Sequence, residues 1–379
     1  MTTAPQTAFI YSERYQDFDY GPDHPLRNMR LALTYELCQA YGLLGLLNTR
    51  LIQAREATEE EVVAFHRADY VDVFRAADRG HPPPNVGDYG LGTSDNPIFP
   101  GAYAWSLLST GGSLQAMELV DSGEVECAFN PAGGLHHATA ARAAGFCYFN
   151  DASVLIKHLL RRGRRVAYVD IDAHHGDGVQ FGFYDTDQVL TISIHESGES
   201  LFPGTGFVEE IGRGRGIGYA VNVPLLAGSD DEIFLWALDQ VVPPLLAAFN
   251  ADVVVTQLGA DTHRTDPLTN LALTTTGFAE AVRRLQPFCR KWIALGGGGY
   301  NLENVPRSWT LAWAVMNRRE IPDDLPESFQ STFHRVGLQP RRLRDDPYEA
   351  ETSSREQAWQ FVREQVYRVK RLVFPHHGL

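Results

Sequence analysis

Four short runs of almost unbroken apolar residues set the tightest limit on how this chain can fold. They are Val166-Ala-Tyr-Val-Asp-Ile-Asp172, Val189-Leu-Thr-Ile-Ser-Ile194, Asp252-Val-Val-Val-Thr-Gln257 and Trp292-Ile-Ala-Leu295. A strand with one wet face alternates apolar and polar residues, so runs without alternation predict parallel strands covered on both sides. Helix-like segments lie between them, among them Asp151 to Arg162 and Asp230 to Phe249. This alternation predicts an α/β fold over residues 1–379, a single domain around a mostly parallel multi-stranded sheet flanked by helices. Each run leads into Gly, Asp or His, and open α/β sheets carry their chemistry beyond the carboxyl ends of their strands.

The last part of the chain, 317–379, reads differently. Up to about residue 352 it is irregular, charged and proline-containing. Ser353-Ser-Arg-Glu356 then predicts a capping box opening a final helix. Trp359, Val362, Val366, Val369 and Val373 fall at helical spacing and predict the face by which that helix packs. The adjacent His376 and His377 are expected to belong to a disordered terminus.

Charge and cysteine usage narrow the function classes. The 33 basic and 47 acidic residues give a net charge of −14. That balance disfavours binding to nucleic acid, which rests on cationic contacts to phosphate, and suits a cationic substrate or partner. The four cysteines, Cys38, Cys127, Cys147 and Cys289, form no CxxC pair, which argues against a disulfide framework and a cysteine-built zinc site. No apolar run approaches the roughly 20 residues of a membrane helix. Met1 to Ala8 has neither the basic start nor the apolar stretch of a signal peptide, so a cytoplasmic protein is expected.

The segment Tyr168-Val-Asp-Ile-Asp-Ala-His-His-Gly-Asp-Gly178 holds the densest chemistry. On an extended chain Asp170, Asp172 and His174 project from one face. A carboxylate and an imidazole two residues apart at a strand end can chelate one cation. Asp261, in Gln257-Leu-Gly-Ala-Asp261, supplies a third donor from another strand end. One histidine and two carboxylates leave a coordination position open, as catalytic zinc requires. Two further segments stand out. Asn130-Pro-Ala-Gly-Gly-Leu-His-His137 ends in adjacent histidines, which taken alone read as a surface pair or a metal pair. Ala294-Leu-Gly-Gly-Gly-Gly-Tyr300 has a backbone able to approach a ligand closely. It is not a GxGxxG dinucleotide fingerprint.

Taken in order from about residue 8 to residue 315, these segments resemble the zinc-dependent histone deacetylases and their prokaryotic relatives, including acetoin-utilisation proteins. The motifs that carry the resemblance are Asp23-His-Pro25, Gly133-Gly-Leu-His-His137, Gly145-Phe-Cys-Tyr-Phe-Asn-Asp151, Asp170-Ile-Asp-Ala-His-His-Gly-Asp177, Phe202-Pro-Gly-Thr-Gly206, Gly259-Ala-Asp261 and Gly296 to Tyr300. The resemblance implies the arginase-deacetylase fold. It implies Asp172, His174 and Asp261 as zinc ligands, and His136 and His137 as an acid/base pair with Asp170 behind the first and Asp177 behind the second. Tyr300 would hydrogen-bond the carbonyl oxygen of the substrate. Gly145, Phe146 and Phe202 would line a narrow channel for an acyl-lysine side chain, with Asp95 at its rim and Arg30 near an acetate-exit cavity.

Family members also bind potassium. The matching inner site would comprise Asp170, Asp172, His174, Ser193 and Ile194, and the outer one Phe183, Thr186, Val189 and Tyr219. The activity implied is metal-dependent hydrolysis of an amide, removing acetyl groups from protein lysine or a small acetylated amine. Asp172, His174 and Asp261 could hold Fe(II) as well as zinc. Leu268, seven residues beyond Asp261, lies where an acidic residue would favour acetylpolyamines, so its apolar character points to protein or neutral substrates. A two-manganese ureohydrolase shares the implied fold but needs a second carboxylate-rich strand end. A scaffold that binds acyl-lysine without turning it over is the reading from another class, and no residue of the motif set is missing to favour it.

Overall fold

The computed structural model describes residues 6–340, 342–348 and 351–379. Its centre is one eight-stranded sheet built from β1 (Thr7–Tyr11), β2 (Thr49–Gln53), β3 (Cys127–Asn130), β4 (Val166–Asp170), β5 (Val189–Glu196), β6 (Ala220–Leu225), β7 (Val253–Gln257) and β8 (Trp292–Leu295). The strand order is β2-β1-β3-β8-β7-β4-β5-β6, and every neighbouring pair is parallel. Seven strands are buried along their whole length; the edge strand β2 leaves Arg50, Leu51 and Gln53 exposed. Continuous burial is what the unbroken apolar runs require.

Helices flank the sheet. Ala102–Ser122 and Asp151–Arg161 pack on each other, the first against β1, β3 and β8 and the second against β4. Asp231–Phe249, Thr275–Leu285, Asn304–Met316 and Met29–Ala40 form a contiguous second row. Asp231–Phe249 is long and apolar enough to cross a membrane by length and composition, contrary to the expectation from the sequence. In this fold it is a core helix against β4, β5 and the final helix, capped by the Asp230 side chain on the N–H of Ile233.

The four central strands β3, β8, β7 and β4 end at one height. Asn130 is in register with Leu295, Leu295 with Gln257, and Gln257 with Asp170. The segments that follow these residues therefore leave the sheet side by side, which places the singled-out motifs in one region.

The C-terminal part departs from its sequence reading in three places. Within the stretch read as irregular, Glu327–Arg335 is a helix, and its Phe329 and Phe333 join Leu33, Leu37, Leu311 and Leu343 in a second, smaller core. The final helix runs from Thr352 to Leu372 with Glu351 at its cap and no side-chain capping bond, so Ser353 lies inside the helix and the capping box is absent. Its packing face is as expected, with Val362, Val366, Val369 and Val373 buried against the main core and Trp359 half-buried. Finally, His377 is ordered: Phe374–His377 forms a short 3-10 turn, and the His377 ring hydrogen-bonds the carbonyl of Gly218 at 2.8 Å.

Candidate active site

Asp172 and His174 follow β4 and Asp261 follows β7, and all three are buried. Their ligand atoms lie within 4.8 Å of one another, the one such group among the described residues. His174 Nδ1 is 2.9 Å from Asp261 Oδ2 and 3.1 Å from Asp172 Oδ1. The remaining carboxylate oxygens are held from outside. Asp172 Oδ2 accepts from Gln257 Nε2 at 2.6 Å and from the N–H of Gly298 at 2.7 Å, while Asp261 Oδ1 accepts from the N–H of Ala173 at 2.8 Å.

The equal spacing of Asp170, Asp172 and His174 predicts one face of an extended chain. The strand stops at Asp170, and the chain then turns so that Asp172 Oδ1 accepts the backbone N–H of His174 at 2.9 Å. Asp170 is not part of this group: its Oδ1 accepts the N–H of Asp172 at 3.1 Å and its Oδ2 meets His136 Nδ1 at 2.8 Å. Burial opposes ionisation of Asp172, but the positive charge of His136 and the hydrogen bond from His174 outweigh it and hold its pKa well below the usual range. Burial and the Asp172 charge push Asp261 up to about 6. Two carboxylates taken out of water so close together call for a compensating cation.

Two tests of fit favour a divalent ion here. The donor set, two carboxylate oxygens and one imidazole nitrogen, suits zinc or Fe(II). The backbone also leaves room only for the donors: a Cβ added at Gly298 would sit 2.0 Å from Asp261 Oδ2 and 2.9 Å from Asp172 Oδ2.

His136 and His137 lie beside this group on the segment after β3. That segment is pinned by the buried Asp151, whose carboxylate accepts the N–H groups of Gly134 and Leu135 at 3.0 and 2.8 Å. Asn150 Nδ2 donates to the carbonyls of His136 and Ala138 at 3.0 and 2.9 Å. His136 Nδ1 meets Asp170 Oδ2 at 2.8 Å, His137 Nδ1 meets Asp177 Oδ1 at 2.8 Å, and the two Nε2 atoms are 3.1 Å apart. The two rings are tuned in opposite directions. Burial lowers both, but Asp170 and Asp172 outweigh it at His136 and raise that pKa to about 9. At His137 burial and the charge on His136 prevail over Asp177 and lower it to about 4. With each Nδ1 turned to its aspartate, the two Nε2 atoms face each other and one proton can lie between them.

Walls and floor complete the site. Gly145 and Phe146 are both left-handed, with φ of 51° and 68°. A Cβ on Gly145 would lie 2.4 Å from His137 Cδ2 and 3.0 Å from Phe202 Cε1, so that position has room only for glycine. The left-handed Phe146 is strained by roughly 1–2 kcal/mol. A chain of hydrogen bonds from Trp105 Nε1 to Tyr20 Oη and on to the carbonyl of Phe146, each 3.0 Å, holds it there. The Phe146 ring meets Tyr300 edge-on at 5.5 Å, and the half-exposed Phe202 ring meets His137 at 5.0 Å. Burial, reinforced by the Asp261 and Asp172 charges, drives the Tyr300 phenol well above its ordinary pKa, so it remains a donor.

Below these rings is a narrow cavity bordered by Arg30, His136, His137, Cys147, Asp172 and Tyr300. Arg30 is buried, donates from Nη1 to the carbonyl of Gly299 at 2.9 Å and stacks over Trp309 at 5.1 Å. Its Nε is unpartnered. A wider hollow bordered by Asn250, Asp252 and Lys291 lies before β7 and β8, at the opposite strand ends from this chemistry.

The other expected site residues are spread around this centre. Asp95 is on an exposed loop, tied to the site by His24, whose Nε2 is 3.2 Å from the Asp95 carbonyl. Leu268 is half-buried on the segment beyond Asp261, its N–H donated to Asp266. Ser193 is the register partner of Asp170, with Ile194 next on β5. Phe183, Thr186, Val189 and Tyr219 bracket the start of β5: the N–H of Thr186 donates to the Phe183 carbonyl, and that of Thr191 to the Tyr219 carbonyl.

Sequence reasoning gave no role to several residues that shape the site. Gln257 joins Asp172 to the carbonyl of Gly134, Tyr168 donates to Asp170 Oδ2 at 2.7 Å, and Asp266 accepts the N–H of Tyr300. Gln257 and Tyr168 stand at the carboxyl end of β7 and one turn of the pleat before the end of β4, a position that could have flagged them.

Comparison with known proteins shows the family of this chain. A histone deacetylase domain profile matches residues 24–316. The acetoin utilization protein AcuC of Bacillus subtilis is 41% identical over 328 residues, covering 84% of each chain. Histone deacetylase 1 of Homo sapiens is 38% identical over 330 residues, 86% of this chain and 67% of that one. The crystal structure of an HDAC homolog from Aquifex aeolicus superposes with a TM-score of 0.87 at 34% identity, over 96% of this chain and 100% of the other. An HDAC homolog complexed with SAHA superposes with a TM-score of 0.86, also at 34% identity and with the same coverage. The chain belongs to the histone deacetylase family and, with it, to the deacetylase enzymes.

Proposed function

We propose that this protein is a zinc-dependent hydrolase that removes acetyl groups from lysine side chains of proteins or from similar amines. One observation carries the reading: the buried group of Asp172, His174 and Asp261 lies against the same cavity as His137 and Tyr300. A divalent ion held by these three residues, zinc or Fe(II), would polarise an amide carbonyl and acidify water. The histidine pair manages the protons. One of the two Nε2 atoms would take a proton from the attacking water, and a protonated imidazole of the pair would return one to the departing amine. Asp170 and Asp177 fix both rings through Nδ1 and favour the charged forms. Tyr300 donates its phenolic proton in a hydrogen bond to the developing oxyanion.

Gly145, Phe146 and Phe202 form the walls along which an acyl-lysine stem is held, with Asp95 at the rim. Arg30, buried with an unpartnered Nε, is placed to receive the released carboxylate. Leu268 favours a protein or neutral substrate over an acetylpolyamine. The −14 charge supports a cationic partner rather than nucleic acid, and the setting assigned is cytoplasmic. One potassium ion is assigned to Asp170, Asp172, His174, Ser193 and Ile194, and a second to Phe183, Thr186, Val189 and Tyr219. The two-metal ureohydrolase reading finds no second acidic cluster among the described residues.

The reading is tested by acetate release from an acetyl-lysine peptide, with acetylspermidine alongside, using protein stripped of metal and then reloaded. Release that returns with zinc and favours the peptide is expected. Release indifferent to the metal contradicts the proposal, and turnover of acetylspermidine alone overturns the substrate preference.

A further inference from the structure

Beyond the residues matched by the family profile, a segment from the C-terminal part reaches back to the site. Leu343, fully buried in the smaller core, anchors its backbone two residues before Asp345. Asp345 then turns inward. Its Oδ1 accepts from Arg307 Nη1 at 2.8 Å, and its Oδ2 accepts from His263 Nε2 at 2.7 Å and from the N–H of Thr275 at 3.0 Å. Its own N–H donates to Thr275 Oγ1 at 3.0 Å. The side chains of His263, Arg307 and Asp345 are only 3%, 6% and 10% exposed, so this is an interior triad rather than a surface ion pair. Interior ion pairs contribute little net stability compared with apolar packing, but they enforce one geometry.

Two of these partners, His263 and Arg307, lead to the site. His263 is two residues beyond Asp261. Its Nδ1 accepts the N–H of Thr265 at 3.2 Å, which leaves the proton on Nε2 for Asp345. Thr265 in turn accepts from Asn301: the Asn301 Nδ2 donates to the Thr265 carbonyl at 3.1 Å and to Oγ1 at 3.2 Å. Asn301 directly follows Tyr300. Arg307 sits in the first turn of Asn304–Met316, the helix that begins four residues after Tyr300. A single carboxylate thus ties the segment that carries Asp261 to the segment that carries Tyr300.

We propose that Asp345 is a positioning residue, holding Tyr300 at its working distance from the Asp172, His174 and Asp261 group. The proposal rests on the assignment of Tyr300 as the oxyanion donor. Misplacing a catalytic group by about 1 Å can cost roughly 100-fold in rate.

The test is a double-mutant cycle in the full chain with zinc loaded. Acetate release from the acetyl-lysine peptide is measured for wild type, Asp345→Ala, Tyr300→Phe and the pair, with bound metal and thermal melting of each. Asp345→Ala is expected to lower kcat about 10–100-fold with KM and bound metal unchanged. In the Tyr300→Phe background the same change should cost less than about twofold, because the group it positions has gone. A purely structural role would lower the active fraction by one factor in both backgrounds, and that outcome, or an unchanged kcat in Asp345→Ala, overturns the proposal. If Asp345→Ala does not fold, Asp345→Asn takes its place with the same criteria. Tyr300→Phe as active as wild type would instead sink the oxyanion assignment on which the proposal stands.

Discussion

Asp266 holds Tyr300 by its backbone: the Oδ2 of this buried carboxylate accepts the Tyr300 N–H at 2.8 Å, while its Oδ1 accepts the N–H of Leu268 at 3.0 Å. The residue assigned to the oxyanion and the residue assigned to substrate preference are therefore fixed by the two oxygens of one side chain. Replacing Asp266 by Ala orphans both donors. Each buried orphan costs about 1–3 kcal/mol, so the denaturant midpoint should fall and kcat should fall with it. Asp266→Asn, which keeps an acceptor for one of the two, should lie between. An Asp266→Ala protein with wild-type stability and turnover would show that neither contact matters.

Tyr300→Phe removes the phenolic donor and nothing else in the site. Turnover of an acetyl-lysine peptide should drop about 10²–10³-fold while bound metal stays at the wild-type level. Loss of metal together with activity would point to a ligand role instead.

Gly298→Ala places a methyl group 2.0 Å from Asp261 Oδ2, and the backbone N–H of the same residue binds Asp172 Oδ2. Both carboxylates must shift. Disturbing the groups that orient metal ligands typically costs about 10–100-fold in affinity. Competition with a chelator should show a loss of that size; unchanged zinc affinity would mean that the two aspartates are not ligands.

Asp345 also gives the protein an acid-sensitive component of stability. Burial raises its pKa, but the His263 hydrogen bond, the Arg307 charge and the Thr275 N–H outweigh it and hold the carboxyl far below the usual range. A depressed folded-state pKa stabilises above the unfolded value of about 3.9 and loses that contribution as pH falls below it. The stability gap between wild type and Asp345→Asn should be about 1.5–3 kcal/mol near neutral pH. By the same linkage it should persist to about pH 5 and close below about pH 4. Denaturant titrations across that range check it, and a gap that widens on acidification would reverse the sign.

What the sequence made legible follows physical lines. β4, β5, β7 and β8 stood out because burial on both faces leaves unbroken apolar runs. β3 has no β-branched residue and ends in polar Asn130, β6 contains Asn222 and Pro224, and the edge strand β2 carries exposed Arg50 and Leu51, so none produces that signal. Asp172, His174 and Asp261 were recognisable as donors by type and position. Spacing alone grouped Asp170 with them, because where a strand ends depends on its neighbours and β4 ends at Asp170. The parts played by Asp266 and Asp345 were illegible for another reason. They depend on contacts with residues 34 and 82 positions away, which only the folded chain brings together. The helix Glu327–Arg335 escaped because two phenylalanines four residues apart are its main apolar signal.

The central claim is that Asp172, His174 and Asp261 hold the metal on which deacetylation depends. Bound zinc per chain and acetate release from an acetyl-lysine peptide, measured together in wild type and Asp172→Ala, test it most directly. One zinc with turnover in the wild type, and neither in a folded Asp172→Ala, is the expected result. Undiminished turnover in Asp172→Ala would contradict the account.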